Sequence, residues 1–171
     1  MRSLLEARLG QFGLKLAEEK THKTHVGERT NNQTHERRKL AFLGFTIHRT
    51  MSVGKTVIKT VFQTEGKRFS RAKAGMKEQL RRLQHQPVAV QARAINQILR
   101  GHFNYYGIAG NGRRIVRFWR STREEWKHSL SKRSQKGRLN WEGFTALLKQ
   151  HPMVTPRIRI DYKQIGSYAR L

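Results

Sequence analysis

Hydrophobic residues change their spacing once along this chain, near residue 63. Before that point they form short clusters. Leu4, Leu5, Ala7, Leu9 and Phe12 line one side of a helix predicted over residues 2–12, with Gly13 where such a helix would stop. LKLAEEKT (residues 14–21) reads as a short strand entering a loop. Residues 27–39, GERTNNQTHERRK, hold no apolar side chain and read as a mobile loop. Alternation follows. In LAFLGFTIH (40–48) Phe45 and Ile47 alternate with Thr46 and His48, and in TVIKTVF (56–62) Ile58 and Phe62 share a face. MSVGK between them predicts a hairpin loop.

Beyond residue 63 the spacing becomes helical, at about 3.6 residues per turn. Phe69, Ala72, Met76, Leu80 and Leu83 mark one buried face, and Lys73, Lys77 and Arg81 a basic one. Pro87 suits the first turn of the next helix. Its apolar face is Val88, Ala92, Ile95, Leu99, Phe103 and Tyr106, while Arg93, Gln97, Arg100 and Asn104 line another. A third helix starts near Asn111, a residue that favours caps. It is expected to bury Ile115, Trp119, Thr122 and Trp126 and to carry a basic stripe of Arg113, Arg117, Arg120 and Lys127. A fourth, over residues 140–150, offers Trp141, Phe144, Leu147 and Leu148. After Pro156 the pattern is too weak to assign. The expected class is α+β: a short β-hairpin followed by a mainly α-helical domain.

Charge narrows the function. Lys and Arg number 36 against 11 acids, a net +25. A compact protein with that charge repels itself, so a polyanionic partner is expected, nucleic acid before an anionic membrane surface. Residues 64–138 hold 19 basic residues and 4 glutamates, so the helical middle is the expected face. No apolar run nears the ~20 residues of a membrane span, and no membrane partner is expected. The absence of cysteine excludes disulfides and thiolate metal sites. A bacterial cytoplasmic location with nucleic acid is expected. MRSLLEARLGQFG has no secretory core but leaves an organellar address open.

Asp161 is the only aspartate in the chain. Two-metal phosphoryl transfer needs clustered carboxylates, and the neighbouring pairs Glu18-Glu19 and Glu124-Glu125 point apart on a strand or helix. No catalytic residue, metal or cofactor is therefore expected here. His22 and His25, near His35 and His48, have an H-x-x-H look without a third ligand held in place.

The stretch LRGHFNYYGIAGN (99–111) poses a choice between a stacking surface and a helix end. Leu99, Phe103 and Tyr106 fall on the apolar face and read as core. Tyr105 and Asn104 point elsewhere, beside Arg100, where a tyrosine could stack on a splayed RNA base. The glycines that follow permit a turn expected to bring the next basic stripe alongside Arg100 and Asn104. This stretch, followed by FWRSTREEW and LSKRSQKGRLNWEGFTALL, resembles the maturase-specific region, the helical thumb or X domain, of group II intron reverse transcriptases. FGLKLAEEKT resembles the end of that family's palm, and AFLGF its primer-grip turn. The resemblance spans residues 4–150 in the family's order.

The resemblance implies a division into a palm end with its primer-grip hairpin (1–63), a maturase-specific helical domain (64–151) and a diverged tail (152–171). It implies that Lys20 meets the incoming nucleotide, and that Phe42, Leu43, Gly44 and Phe45 support the primer terminus. Arg133, Ser134 and Gln135 stand in the thumb's RRSQ-like element. The implied partners are structured intron RNA and a template–primer duplex, with a separate palm and fingers fragment as a further one, in support of splicing and retrohoming. The family is an RNA-directed DNA polymerase, with Mg2+ implied for the intact enzyme. Its Tyr/Phe-Ala-Asp-Asp box is missing here, so the chain is expected to be truncated in front and inactive alone. The proposed RNA contacts are Lys73, Lys77, Arg81, Arg100, Asn104, Tyr105, Arg113, Arg117, Arg120, Lys127 and Arg133. The alternative is a basic, ribosomal-style RNA-packing protein with no link to reverse transcription.

Overall fold

The structure is a computed structural model that describes residues 2–17, 39–51, 58–133 and 139–168. The chain divides into two compact units, Met1–Arg38 and Lys39–Leu171. In the first, helix α1 (Arg2–Gly10) ends where Gly13 and Leu14 return their N–H groups to the carbonyls of Gly10 and Leu9, at 3.1 and 3.0 Å. This is the paired closure of a glycine-terminated helix. Residues 14–17 form no strand, contrary to the strand expected over residues 14–21. Residues 18–38 lie outside the described residues.

In the second unit β1 (Leu40–Phe42), β2 (Phe45–Met51) and β3 (Ile58–Thr64) form an antiparallel sheet in that order. By alternation LAFLGFTIH reads as one strand. It is two, folded at Leu43-Gly44 so that Phe42 pairs with Phe45. Both turn residues have positive φ, 47° and 77°, the two-residue turn whose twist matches its strands. Gly44 adopts this freely. Leu43 does so against its own steric preference, and its carbonyl accepts the Tyr105 hydroxyl at 2.8 Å. The Gly44 carbonyl accepts the N–H of Glu65 at 2.9 Å.

Helices α2 (Gly66–Arg82), α3 (Val88–Tyr106) and α4 (Gly112–Ser131) follow. Phe69 meets Phe118 at 6.5 Å and Ser129 reaches the Leu80 carbonyl, so α2 and α4 run parallel. His102 stacks on Phe118 at 4.0 Å and Trp126 Nε1 donates to Gln91 Oε1 at 2.9 Å, so α3 runs antiparallel to α4. The core holds Phe69, Met76, Leu80, Ala92, Ile95, Leu99, Phe103, Ile115 and Trp126, as the helical spacing predicts, together with Phe144 of α5 (Trp141–Gln150). One assignment changes. Phe118 is 1% exposed, while Trp119, expected at that depth, is only partly buried. Both flank the centre of the α4 stripe, and the Phe118 flank is the one on which α2 and α3 close.

Asn111 takes the N-cap position of α4 as expected, but its side chain makes no capping bond to the helix. Fully buried, it accepts the Thr64 N–H at 2.8 Å and donates to the Thr64 hydroxyl and the Tyr106 carbonyl, each at 2.8 Å. It joins the end of β3 to the turn between α3 and α4. The division expected at residue 63 therefore runs through a buried hydrogen-bonded joint, and hairpin and helices share one unit. The tail belongs to that unit too. Asn96 donates to the Pro152 carbonyl at 2.9 Å and accepts the Val154 N–H at 2.8 Å. Gly107 receives Arg159 and Ile160 on its carbonyl, and Ile160 bridges Ile108. A Cβ on Gly107 would stand 2.8 Å from the Arg157 carbonyl oxygen, so only glycine admits this approach. Asp161 and Gln164 then exchange side-chain bonds with each other's N–H groups to open α6 (Tyr162–Tyr168), a capping-box arrangement.

Candidate nucleic-acid interface

The side of α4 turned away from the core carries the expected stripe. Arg113, Arg117 and Arg120 are exposed and, with Gly112 and Val116, line one shallow depression. Among the described residues none of the three is paired with a carboxylate. On α2, Lys73 and Lys77 border a second hollow with Ser121, Thr122 and Glu125 of α4. These lysines and the α4 arginines thus lie on neighbouring, parallel helices. Arg81 is less available. It and Arg82 both bind Glu78, at 2.9 and 3.0 Å, and these two guanidinium groups hold the Glu78 carboxyl down at about 2.

The α3 stripe is not brought alongside. Arg100 and Asn104 are exposed, but α3 and α4 meet through their buried faces, at His102–Phe118 and Gln91–Trp126. Side chains opposite those faces point to opposite sides of the bundle. The expectation that the glycine turn would align the two stripes is therefore overturned by helix orientation.

Tyr105 is also reassigned. It is 52% exposed, yet its hydroxyl is spent on Leu43 and its ring stacks on Phe45 at 5.9 Å and 16°. It braces the hairpin turn and is not a free platform. Of the turn residues themselves, Phe42 and Leu43 are exposed and Phe45 is buried. Lys127 is partly buried, with its ammonium 4.9 Å from the Trp141 ring centre, beside the stripe. Arg133 is exposed and makes one long contact to the His85 carbonyl. Lys20, Ser134 and Gln135 lie outside the described residues, as do His22, His25 and His35.

His102 adds no charge. Wedged against Phe118 and Tyr106 (4.0 and 4.7 Å), with Nε2 unbonded, it is pushed down to about 4 by burial. The spacing also missed Arg123 and the exposure of Trp141, which is 48% accessible despite its place on the apolar face of α5. A tryptophan immediately after the cap, on the first turn of a helix, was the available signal. Among the described residues no group of three or more His, Asp or Glu could hold a metal, and no helix is long and apolar enough to cross a membrane. No family model, curated protein or solved structure matches the chain.

Proposed function

We propose that this chain binds structured RNA as the maturase and thumb portion of a group II intron reverse transcriptase. The observation that carries the reading is the exposed arginine row of α4, unpaired among the described residues, beside Lys73 and Lys77 of the parallel helix α2. Guanidinium forks grip phosphate bidentately, and a helical row of them follows a backbone more readily than it reads bases. The tight turn in AFLGF, braced by Tyr105, supports the primer-grip part of the resemblance. With Asp161 its only aspartate, the sequence contains no Asp-Asp box of the kind that holds the family's metal ions. We assign Mg2+ to the Asp-Asp palm box of the family's intact polymerase, and place the chain with cytoplasmic intron RNA.

The test is a salt titration of binding to folded intron RNA. With roughly six to ten phosphates neutralised, the log–log slope is expected at about −4 to −7. Changing Arg113, Arg117 and Arg120 together to Gln is expected to reduce the magnitude of that slope by about two to three units. A slope near zero for the natural chain, or an unchanged slope in the triple variant, rules the reading out.

A further inference from the structure

Trp141 sits where three features meet. Its ring is approached by two cations of α4 one turn apart, Arg123 at 5.1 Å and Lys127 at 4.9 Å. Phe144 meets it edge-on at 6.0 Å. Both cations come from one helix, and 48% of the residue remains accessible to solvent. Two donors in the same neighbourhood, Arg123 Nε and Trp119 Nε1, are out of water and unbonded. Arg123 also lies 6.0 Å from the Trp119 ring, which ties these groups into one patch. Arg120 is one turn from Arg123 and two turns from Lys127 along the helix, so the patch adjoins the arginine row.

A cation pair at an aromatic ring has a bland role, which is to fasten α5 to α4. That role leaves unexplained why the residue stays half open at the border of an arginine row that is unpaired among the described residues. We infer that Trp141 is a stacking platform for one unpaired nucleotide of the bound RNA, with Lys127 and Arg123 taking the flanking phosphate. This rests on the RNA-binding reading above and adds a preference to it. A row of arginines holds paired and unpaired RNA alike, whereas an indole face gains only where a base is free to leave its stack. The chain is thus expected to favour RNA in which a bulged or looped nucleotide lies beside a duplex.

The experiment compares two RNA hairpins of equal length and charge, one fully paired and one with a single bulged 2-aminopurine, against the natural chain, Trp141→Phe and Trp141→Ala. The natural chain is expected to prefer the bulged hairpin roughly ten-fold, within the range of one base–aromatic stack, and to quench the 2-aminopurine. Trp141→Ala should erase both preference and quenching while its affinity for the paired hairpin stays within about two-fold, and Trp141→Phe should keep part of each. Quenching by the natural chain is read whether or not Trp141→Ala folds. A bulge preference that survives in Trp141→Ala, absence of quenching, or equal competition by polyglutamate and single-stranded oligoadenylate of matched charge overturns the platform. Equal, salt-sensitive binding of both hairpins by every variant overturns the platform alone. Failure of the natural chain to bind either hairpin overturns the RNA-binding reading beneath it.

Discussion

Trp126 and Trp141 meet the same ring, Phe144, edge-on at 5.7 and 6.0 Å, yet one is wholly buried and the other half open. The difference follows from where each helix face leads. Trp126 faces α3, where Gln91 offers Oε1 to its Nε1 while Gln91 Nε2 binds the Gln84 and Gln86 carbonyls. Every polar atom in that contact has a partner, so the indole can leave water without penalty. Trp141 stands on the first turn of α5, where two cations lie over its ring and 48% of the residue stays accessible. The same residue type serves a core on one side of Phe144 and a charged border on the other. What decides is the polar partner available, not the aromatic ring.

The largest expected effect tests the buried side. Trp126→Ala is expected to cost about 3–5 kcal/mol through lost transfer energy and a cavity, with roughly 1 kcal/mol more from the Gln91 oxygen left unpaired. Trp141→Ala should fall near 1 kcal/mol or below, as a half-exposed residue does. Urea unfolding of the two variants reads the contrast directly, and equal losses would remove it.

Acid should soften the same core through His102. Its folded pKa of about 4 lies below the unfolded value of 6.5, so the unfolded chain takes up the proton first. Stability from this group is complete above pH 6.5, declines as pH falls towards 4 and declines no further below that. At ~1.4 kcal/mol per unit the decline is at most about 3 kcal/mol. The net positive charge also grows on acidification, so the diagnostic quantity is the difference between the natural chain and His102→Phe. If both lose stability in parallel between pH 7 and 4, His102 is not the sensor.

Asn111→Ala should cost about 2 kcal/mol, since the buried Thr64 N–H loses its acceptor. Hydrogen exchange should rise at the end of β3 before the centre of α3. Uniform change across the unit would mean that the joint is ordinary packing. Smallest of all is the effect of the arginine row on folding. The triple change to Gln should move stability by no more than about 0.5 kcal/mol per residue. A larger loss would place those side chains in the fold and not at an RNA surface.

Much of this was legible in the residue order. Wherever period and burial coincide, as at Phe69, Met76 and Leu80 or Ile95, Leu99 and Phe103, the spacing alone marks the core. The arginine row was legible for the same reason, since it opposes Ile115 and Trp126. Gln91 was not, because a glutamine within an apolar stripe looks like a misfit until its three bonds are known. Phe118 and Trp119 are neighbours on the rim of one stripe, and only the placement of α2 and α3 separates them. The turn at Leu43 was hidden from alternation, since leucine at positive φ defies local preference. It came from the family resemblance. The separation of the α3 and α4 stripes depends on how two helices are oriented, which no helical wheel contains.

The joints around the end of α3 carry a consequence for the order in which the chain assembles. Tyr105 bonds to a residue 62 positions earlier, and Asn111 to one 47 positions earlier. Gly107 and Ile108 take up a segment from beyond α5. Loop closure over such lengths costs entropy before any contact repays it, and contacts of high sequence separation slow folding. The turn between α2 and α3, tied by Gln91 to Gln84 and Gln86, can form while synthesis continues. The junction from Leu99 to Asn111 cannot, because it needs the hairpin behind it and a segment that leaves the ribosome some fifty residues later. The stretch richest in aromatics and glycines therefore sets last. Its composition answers to timing as much as to packing: Gly107 keeps the meeting point open for the tail segment, and Tyr105 fastens it to the hairpin made earlier.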